Sequence, residues 1–307
     1  MHSVVTAQDP RQREEPLPST RRKREAEDWA LVLVAEGFEP RVVRNESGWQ
    51  VEVPQEAHER AIEILKAYRA ERLERQRRLS LPPPRGPSNL EAASAYALAL
   101  ALLVFHLGLE AAGRADPLVE VGGSRAALVL DGEAWRLVTA LTLHADLPHA
   151  LGNTLFGGLF LAALAGRLGI GLAFLTFVAS GTLGNLANAV YYGSNHGSIG
   201  ASTGVFGLVG VLAGLAAWRR HQGAIPGRGA WVAFGAGLAI VAMLGSGGPE
   251  VDLSAHLFGL AAGGLTGLVL AIPFAGHPRP GRTGQIVAFG AAALLIAGAW
   301  TLALAAG

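Results

Sequence analysis

The main pattern along the chain is a set of seven long apolar runs in its C-terminal two thirds. Each run has about 17 to 25 residues, the length that an α-helix needs to cross roughly 30 Å of hydrocarbon. The pattern predicts an all-α polytopic membrane protein with spans at residues 92–113, 149–166, 170–192, 201–218, 230–246, 253–275 and 285–306. Residues 114–148 are part apolar and part polar, so we expect this loop to lie in the interface or to re-enter the membrane shallowly.

The first 91 residues have a different pattern. Residues 1–24 are polar and rich in Pro and Arg, which predicts a disordered tail. Residues 25–78 predict a small cytoplasmic α/β domain, with helices at 26–36 and 54–78 and two short strands at 41–44 and 49–53. Residues 79–91 predict a Pro-rich linker, and residues 92–307 the seven-helix membrane domain.

Charge divides the chain in the same way. Residues 1–90 hold 16 of the 25 Lys and Arg and 15 of the 24 Asp and Glu, and the remaining 217 residues hold nine of each. The near balance of these charges argues against a nucleic-acid partner. Because the chain has no Cys, disulfides and thiolate metal ligands are excluded.

Loop charge predicts the orientation in the membrane. The extreme N-terminus lacks the apolar core of a signal peptide, so we expect it to stay in the cytoplasm. In that orientation the inner loops hold six Arg, and all three outer Arg fall in the long first loop. This bias agrees with the positive-inside rule, and seven spans then place the C-terminus outside. High Ala, Gly and Arg usage favours a bacterial inner membrane.

Four polar residues lie near the starts of the second, fourth and sixth runs: His149, Asn153, Ser202 and His256. These three runs enter the membrane from the same side, which predicts a similar depth for all four side chains. Polar groups inside a bilayer are costly and usually functional. Taken singly, each has a simpler explanation, as a helix cap, as interhelical hydrogen bonding or as packing.

Helical phase suggests how two of these residues could meet. Ser202, Phe206 and Gly210 share one face of the fourth span, and His256, Gly259 and Gly263 share one face of the sixth. Small residues let transmembrane helices approach closely. If the two faces meet, Ser202 and His256 come within hydrogen-bond reach.

That pair has the chemistry of nucleophilic catalysis. A Ser hydroxyl needs an adjacent base, which His256 supplies, and the oxyanion needs donors, which His149, Asn153 and the Ser202 backbone N–H supply. Asp146 and Asp252 are not well placed for a triad, so we predict a Ser–His dyad. A metal site from His144, His149 and His256 is the weaker alternative, because no carboxylate or Cys joins them at ligand spacing.

Four stretches carry a resemblance to the rhomboid family of intramembrane serine proteases. They are Trp135-Arg136 in the first outer loop, the His/His/Asn pattern of residues 144–153, Gly200-Ala201-Ser202, and residues 255–263 with His256, Gly259 and Gly263. The order of these motifs along the chain makes the resemblance specific. It covers roughly residues 135–267.

The resemblance implies a rhomboid-like six-helix core with a seventh C-terminal helix. It implies Ser202 as nucleophile, His256 as base, and His149 and Asn153 as oxyanion donors, with Phe206, Gly200 and Gly259 in support. It implies no cofactor or metal. Two departures from the common pattern are Thr203, after the nucleophile, and Phe258, two residues after the base. Neither removes a catalytic group, so we expect an active enzyme; whether they reshape the pocket is left open by the sequence.

Three functions are compatible with the sequence. The first is an intramembrane serine endopeptidase that cleaves single-span transmembrane proteins near the outer membrane face, where an unwound helix exposes its carbonyls. The second is a non-catalytic relative that binds client transmembrane helices. A transporter is disfavoured because no internal repeat is visible.

Overall fold

The structure, a computed structural model, describes residues 16–79, 85–194, 196–221, 252–274 and 279–306. The chain divides into two compact units, within residues 1–80 and 81–307. The span predicted at residues 230–246 lies outside the described residues.

The first unit combines a small antiparallel sheet with two helices. Its strands are β1 Ser19–Thr20, β2 Arg41–Asn45 and β3 Gly48–Glu52, in the order β1-β3-β2, and its helices are α1 Lys23–Ala35 and α2 His58–Leu79. The shared apolar core is made of Ala26, Trp29, Leu33, Val51, Ala61 and Leu65. The helices and strands predicted over residues 26–78 are present, with shifted ends.

One strand differs from the prediction. β1 lies within residues 1–24, which we expected to be disordered, and Thr20 pairs with Trp49. The pairing gives hydrogen-bond partners to an edge of β3 that the hairpin alone would leave open.

The second unit begins with α3 Asn89–Ala111, which starts at a capping box formed by Ser88 and Glu91. The following loop contains α4 Ala115–Gly122, β4 Ser124–Arg125, α5 Ala126–Leu130, α6 Arg136–Thr139 and a short 3-10 helix at Ala140–Thr142. The elements described after this loop are five long helices and one short strand: α7 Leu147–Leu168, α8 Ile170–Tyr192, β5 Gly197–Ser198, α9 Ser202–His221, α10 Leu253–Phe274 and α11 Arg282–Ala306.

Six of these helices, α3 and α7 to α11, are long and apolar enough to cross a membrane. They coincide with six of the seven predicted spans. The most buried of the six is α9, which packs against α7, α8 and α10. The residue that begins α9 is Ser202, so the candidate nucleophile lies at the end of the central helix.

The loop between α3 and α7 is held by its own Trp-Arg pair. Arg136 Nη1 donates to the carbonyl oxygens of Glu120 and Gly123, both at 2.9 Å, and Trp135 Nε1 donates to Val121 O at 3.3 Å. These side chains therefore give hydrogen-bond partners to backbone carbonyls at the end of α4 and directly after it.

Glycines bring α9 and α10 into backbone contact. A Cβ at Gly263 would overlap the carbonyl oxygen of Gly207, and a Cβ at Gly267 would overlap that of Val211. The predicted small-residue faces of these two helices therefore meet, as close packing of transmembrane helices requires.

Candidate functional site

Ser202 is presented by a sharp bend at Gly200. Gly200 has a φ of 134°, a conformation that favours glycine, and its N–H donates to Ala140 O in the loop between α3 and α7 at 2.9 Å. A Cβ at Gly200 would lie 2.6 Å from His149 Cε1, 2.7 Å from His149 Nε2 and 3.4 Å from Ser202 Oγ. The missing side chain thus leaves room for the imidazole and the hydroxyl on the same side of the bend.

His256 lies in the first turn of α10 and is 5% exposed. Its ring packs on Phe206, which is fully buried one turn after Ser202, with 4.4 Å between ring centroids. Next to this pair, a Cβ at Gly259 would overlap the carbonyl oxygen of Thr203. Phe206 and Gly259 therefore hold the start of α9 against the first turns of α10.

The candidate dyad is adjacent without being joined. Within the described part of the chain, no hydrogen bond links Ser202 and His256, and His256 Nδ1 is buried without a partner. Catalytic hydrogen bonds are often long or misaligned in a free enzyme and shorten when substrate binds. That Ser202 and His256 come within hydrogen-bond reach of each other therefore stays a prediction.

The two predicted oxyanion donors lie on α7. Asp146 caps this helix by accepting from the His149 backbone N–H at 2.7 Å. Asn153 follows one turn later, is 7% exposed, and its Nδ2 has no hydrogen-bond partner among the described residues. A cavity of about 130 Å³ is lined by Asn153 together with Ala99, Ala201 and Val205. Asn153 therefore has an unpaired donor and lies beside open space inside the bundle.

A row of histidines runs behind this site. His144 lies between His106 and His149, with ring-centroid distances of 5.9 and 5.3 Å and edge-to-face geometry. Burial, with the neighbouring His149 and His106, lowers the pKa of His144 to about 3, although Asp146 opposes the shift. In the described residues no group of three His, Asp or Glu could hold a metal ion.

Both departures from the common motif point away from the candidate nucleophile. Thr203 is 2% exposed, and its methyl group fills the space between Gly184 of α8 and Gly259 of α10. Phe258 packs on Tyr191 of α8, with 5.5 Å between ring centroids. These contacts place both side chains in helix packing against α8.

Sequence reasoning missed a polar cluster beside the site. Asp252 accepts hydrogen bonds from Asn188 and His196, and the sequence pattern predicted no role at the site for either residue. The available signal was the position of Asp252, one turn before His256 and directly before α10.

Known proteins share this region of the chain. The Rhomboid domain family matches residues 131–273, from the loop between α3 and α7 to the last turn of α10. The chain is 33% identical to the putative rhomboid protease YdcA of Bacillus subtilis over 135 residues, covering 44% of this chain and 66% of that protein. It is 30% identical to rhomboid protease GluP of the same organism over 186 residues, covering 58% of this chain and 35% of that protein.

A further relative comes from a distant organism. Rhomboid-like protease 1 of Toxoplasma gondii is 30% identical over 157 residues, covering 50% of this chain and 53% of that protein. The chain thus spans between about a third and two thirds of the length of these three relatives. With the six apolar helices and the domain match across α7 to α10, these similarities place the chain in the rhomboid family.

Proposed function

We propose that the protein is an intramembrane serine endopeptidase of the rhomboid type. The observation that carries this proposal is the convergence of polar groups from three helices at one end of the bundle. Ser202 Oγ and the His149 ring flank Gly200, while His256 packs on Phe206 one turn from Ser202. Relatives named as rhomboid proteases support the same class of reaction.

The proposed reaction begins with proton transfer. His256 takes the proton of Ser202 Oγ as the oxygen attacks the scissile carbonyl carbon. The negative charge that develops on the carbonyl oxygen is met by the Asn153 amide, the His149 ring and the Ser202 backbone N–H. His256 then gives its proton to the leaving amine as the scissile C–N bond breaks. In the second half, His256 takes a proton from a water molecule as the water attacks the acyl carbon, and it returns that proton to Ser202 Oγ as the ester bond breaks and the carboxylic acid leaves.

The substrates we propose are single-span transmembrane proteins cut near the outer membrane face. All four site residues lie in the first turns of α7, α9 and α10, so the peptide bond must reach the end of the bundle where these helices begin. An intact substrate helix keeps its carbonyls hydrogen-bonded, so a locally unwound segment is required.

The test is cleavage of a reporter transmembrane protein by Ser202→Ala and His256→Ala variants in liposomes. We expect both variants to lose cleavage. Matched controls are Ser94→Ala on α3 and His221→Ala at the exposed end of α9, which should cleave like the wild type. Normal cleavage by either site variant would refute the dyad.

The absence of a Ser202–His256 hydrogen bond in the described residues is also compatible with one alternative, a non-catalytic protein that binds client transmembrane helices. Binding of the reporter without cleavage by the wild type, unchanged by Ser202→Ala, would support this alternative.

We also propose a cytoplasmic N-terminus and an outer C-terminus. An alkaline phosphatase reporter fused after Gly307 is active only outside the cytoplasm. Activity there supports seven spans, and inactivity indicates an even number.

A further inference from the structure

The segment between α8 and α9 delivers Ser202, and one side of it is tied to the first outer loop. β5 pairs antiparallel with β4, with Ser198 opposite Ser124 and Gly197 opposite Arg125. The Ala126 N–H donates to His196 O at 2.9 Å. These bonds fix the segment on the side of the first outer loop.

Asp252 binds the other side of the same segment. Its Oδ2 lies 2.7 Å from His196 Nε2 and accepts from Asn188 Nδ2 at 2.7 Å. Its Oδ1 accepts from Ser254 Oγ at 2.6 Å and from the Ala255 backbone N–H at 3.0 Å. One carboxylate thereby joins the end of α8, the segment before Ser202 and the start of α10.

The imidazole in this cluster is held on its face as well as at its edge. The ring of Tyr192 stacks on His196, with 3.7 Å between centroids and 12° between planes. Tyr192 Oη lies 3.1 Å from Ser254 Oγ, so Tyr192 is also hydrogen-bonded to the start of α10. His196 is therefore confined between Tyr192 and Asp252.

The cluster requires a carboxylate. An ionised Asp offers about four acceptor positions on two oxygens, and hydrogen bonds to it are stronger than those between neutral groups. Burial opposes ionisation of Asp252, but hydrogen bonds from Ser254, His196, the Ala255 backbone and Ser198 outweigh it and lower its pKa to about 2. Asp252 is therefore charged at neutral pH.

We propose that Asp252 is a positioning residue that holds Ser202 and His256 in register by binding the segment before Ser202 to the first turn of α10. The inference rests on the proposed protease function. Ser202 follows Ser198 by four residues, and His256 follows Asp252 by four, with its backbone N–H 3.3 Å from Asp252 O. His256 is thus one helical turn from Asp252, and Ser202 is four residues after a residue that Asp252 contacts.

The expected consequence of losing this link is misalignment of the dyad. A displacement of about 1 Å between reacting groups can lower a rate by about a hundredfold. Chemistry at Ser202 should therefore fall, whereas the hydrogen bonds that stabilise α9 and α10 themselves remain.

The experiment measures the rate at which a fluorophosphonate labels Ser202, together with the thermal unfolding midpoint, in purified full-length protein. Asp252→Ser keeps a side chain that caps α10 but is too short to reach His196 and Asn188. We expect its labelling rate to fall about tenfold to a hundredfold, with a midpoint near that of the wild type. Asp131→Ser, at an exposed position of the first outer loop, is the matched control and should label normally.

A second pair of variants tests His196, the hydrogen-bond partner of Asp252. His196→Gln retains a side-chain donor for Asp252 and should label close to the wild-type rate, whereas His196→Leu should label slowly. Wild-type labelling by Asp252→Ser and His196→Leu would overturn the inference. So would a fall in midpoint that parallels the loss of labelling in every variant, because that result assigns Asp252 to stability alone.

The result that would refute the proposed protease function differs from the result that would refute the role of Asp252. If the wild type itself is not labelled, or if a Ser202→Ala variant is labelled equally, the protease proposal is refuted and the inference falls with it. If the wild type is labelled at Ser202 and Asp252→Ser is labelled equally fast, the inference alone is refuted.

Discussion

At the scale of single residues, the proposed oxyanion role of Asn153 can be separated from a role in stability. Its Nδ2 is buried and unpaired among the described residues, although an unsatisfied buried donor costs about 1–3 kcal/mol. On the neighbouring helix α8, Asn185 Nδ2 donates a hydrogen bond to Leu137 O at 2.9 Å. Two buried amides on neighbouring helices therefore differ in whether the donor is used in the free protein.

This difference predicts that the same replacement, Asn to Leu, has opposite effects on cleavage and stability at the two positions. Asn153→Leu should lower the cleavage rate by about 10²- to 10³-fold, the usual cost of losing one oxyanion donor, without lowering the unfolding midpoint. Asn185→Leu should lower the midpoint, because the carbonyl of Leu137 loses its partner, at a cost of about 1–3 kcal/mol. Cleavage assays and thermal unfolding of both variants check this. Equal loss of stability in the two variants would assign Asn153 a packing role.

At the scale of helices, the contact between α9 and α10 sets how far the candidate nucleophile lies from the candidate base. Gly263 of α10 faces the Gly207 carbonyl of α9, whereas its neighbour Gly264 has open space where a Cβ would stand. The two glycines are adjacent in sequence but differ completely in what a side chain would meet.

Gly263→Ala should therefore force the helices apart. We expect it to destabilise the protein by about 1–3 kcal/mol, the typical cost of overpacking, and to reduce labelling of Ser202. Gly264→Ala is the control and should leave both the unfolding midpoint and labelling near wild type. The account of this helix contact is wrong if Gly263→Ala is as stable and as reactive as Gly264→Ala.

At the scale of the whole molecule, buried histidine makes stability depend on pH. The pKa of His144 is lowered from 6.5 to about 3 in the folded protein. Between these two values the unfolded chain binds a proton that the folded protein does not, so stability falls as pH falls. The loss is about 1.4 kcal/mol per pH unit in that window, and His144 contributes no pH dependence above about pH 6.5.

His144→Phe should remove this contribution. We expect the unfolding midpoint of the variant to drop less than that of the wild type between pH 7 and pH 5. His221→Phe, at the exposed end of α9, should keep the wild-type dependence. Parallel midpoint curves for wild type and His144→Phe would show that His144 is not protected from protonation in the folded protein.

Hydropathy predicted the six spans that the structure describes, and helical phase predicted that the glycine faces of α9 and α10 meet. Both features follow from the local sequence pattern. The cluster around Asp252 could not be predicted in this way. Asp252 and His196 are 56 residues apart, and their contact depends on how the segment after α8 folds against β4. The orientation of Thr203 could not be predicted either, because only the packing of α8 shows that its methyl group faces Gly184.

The proposed function depends above all on activation of Ser202 by His256. Mass spectrometry of the intact protein and its peptides, after exposure to a fluorophosphonate, tests this activation. We expect an adduct on Ser202 in the wild type and none in His256→Ala. An unlabelled wild type, or equal labelling of Ser202 in His256→Ala, would show that His256 does not activate Ser202.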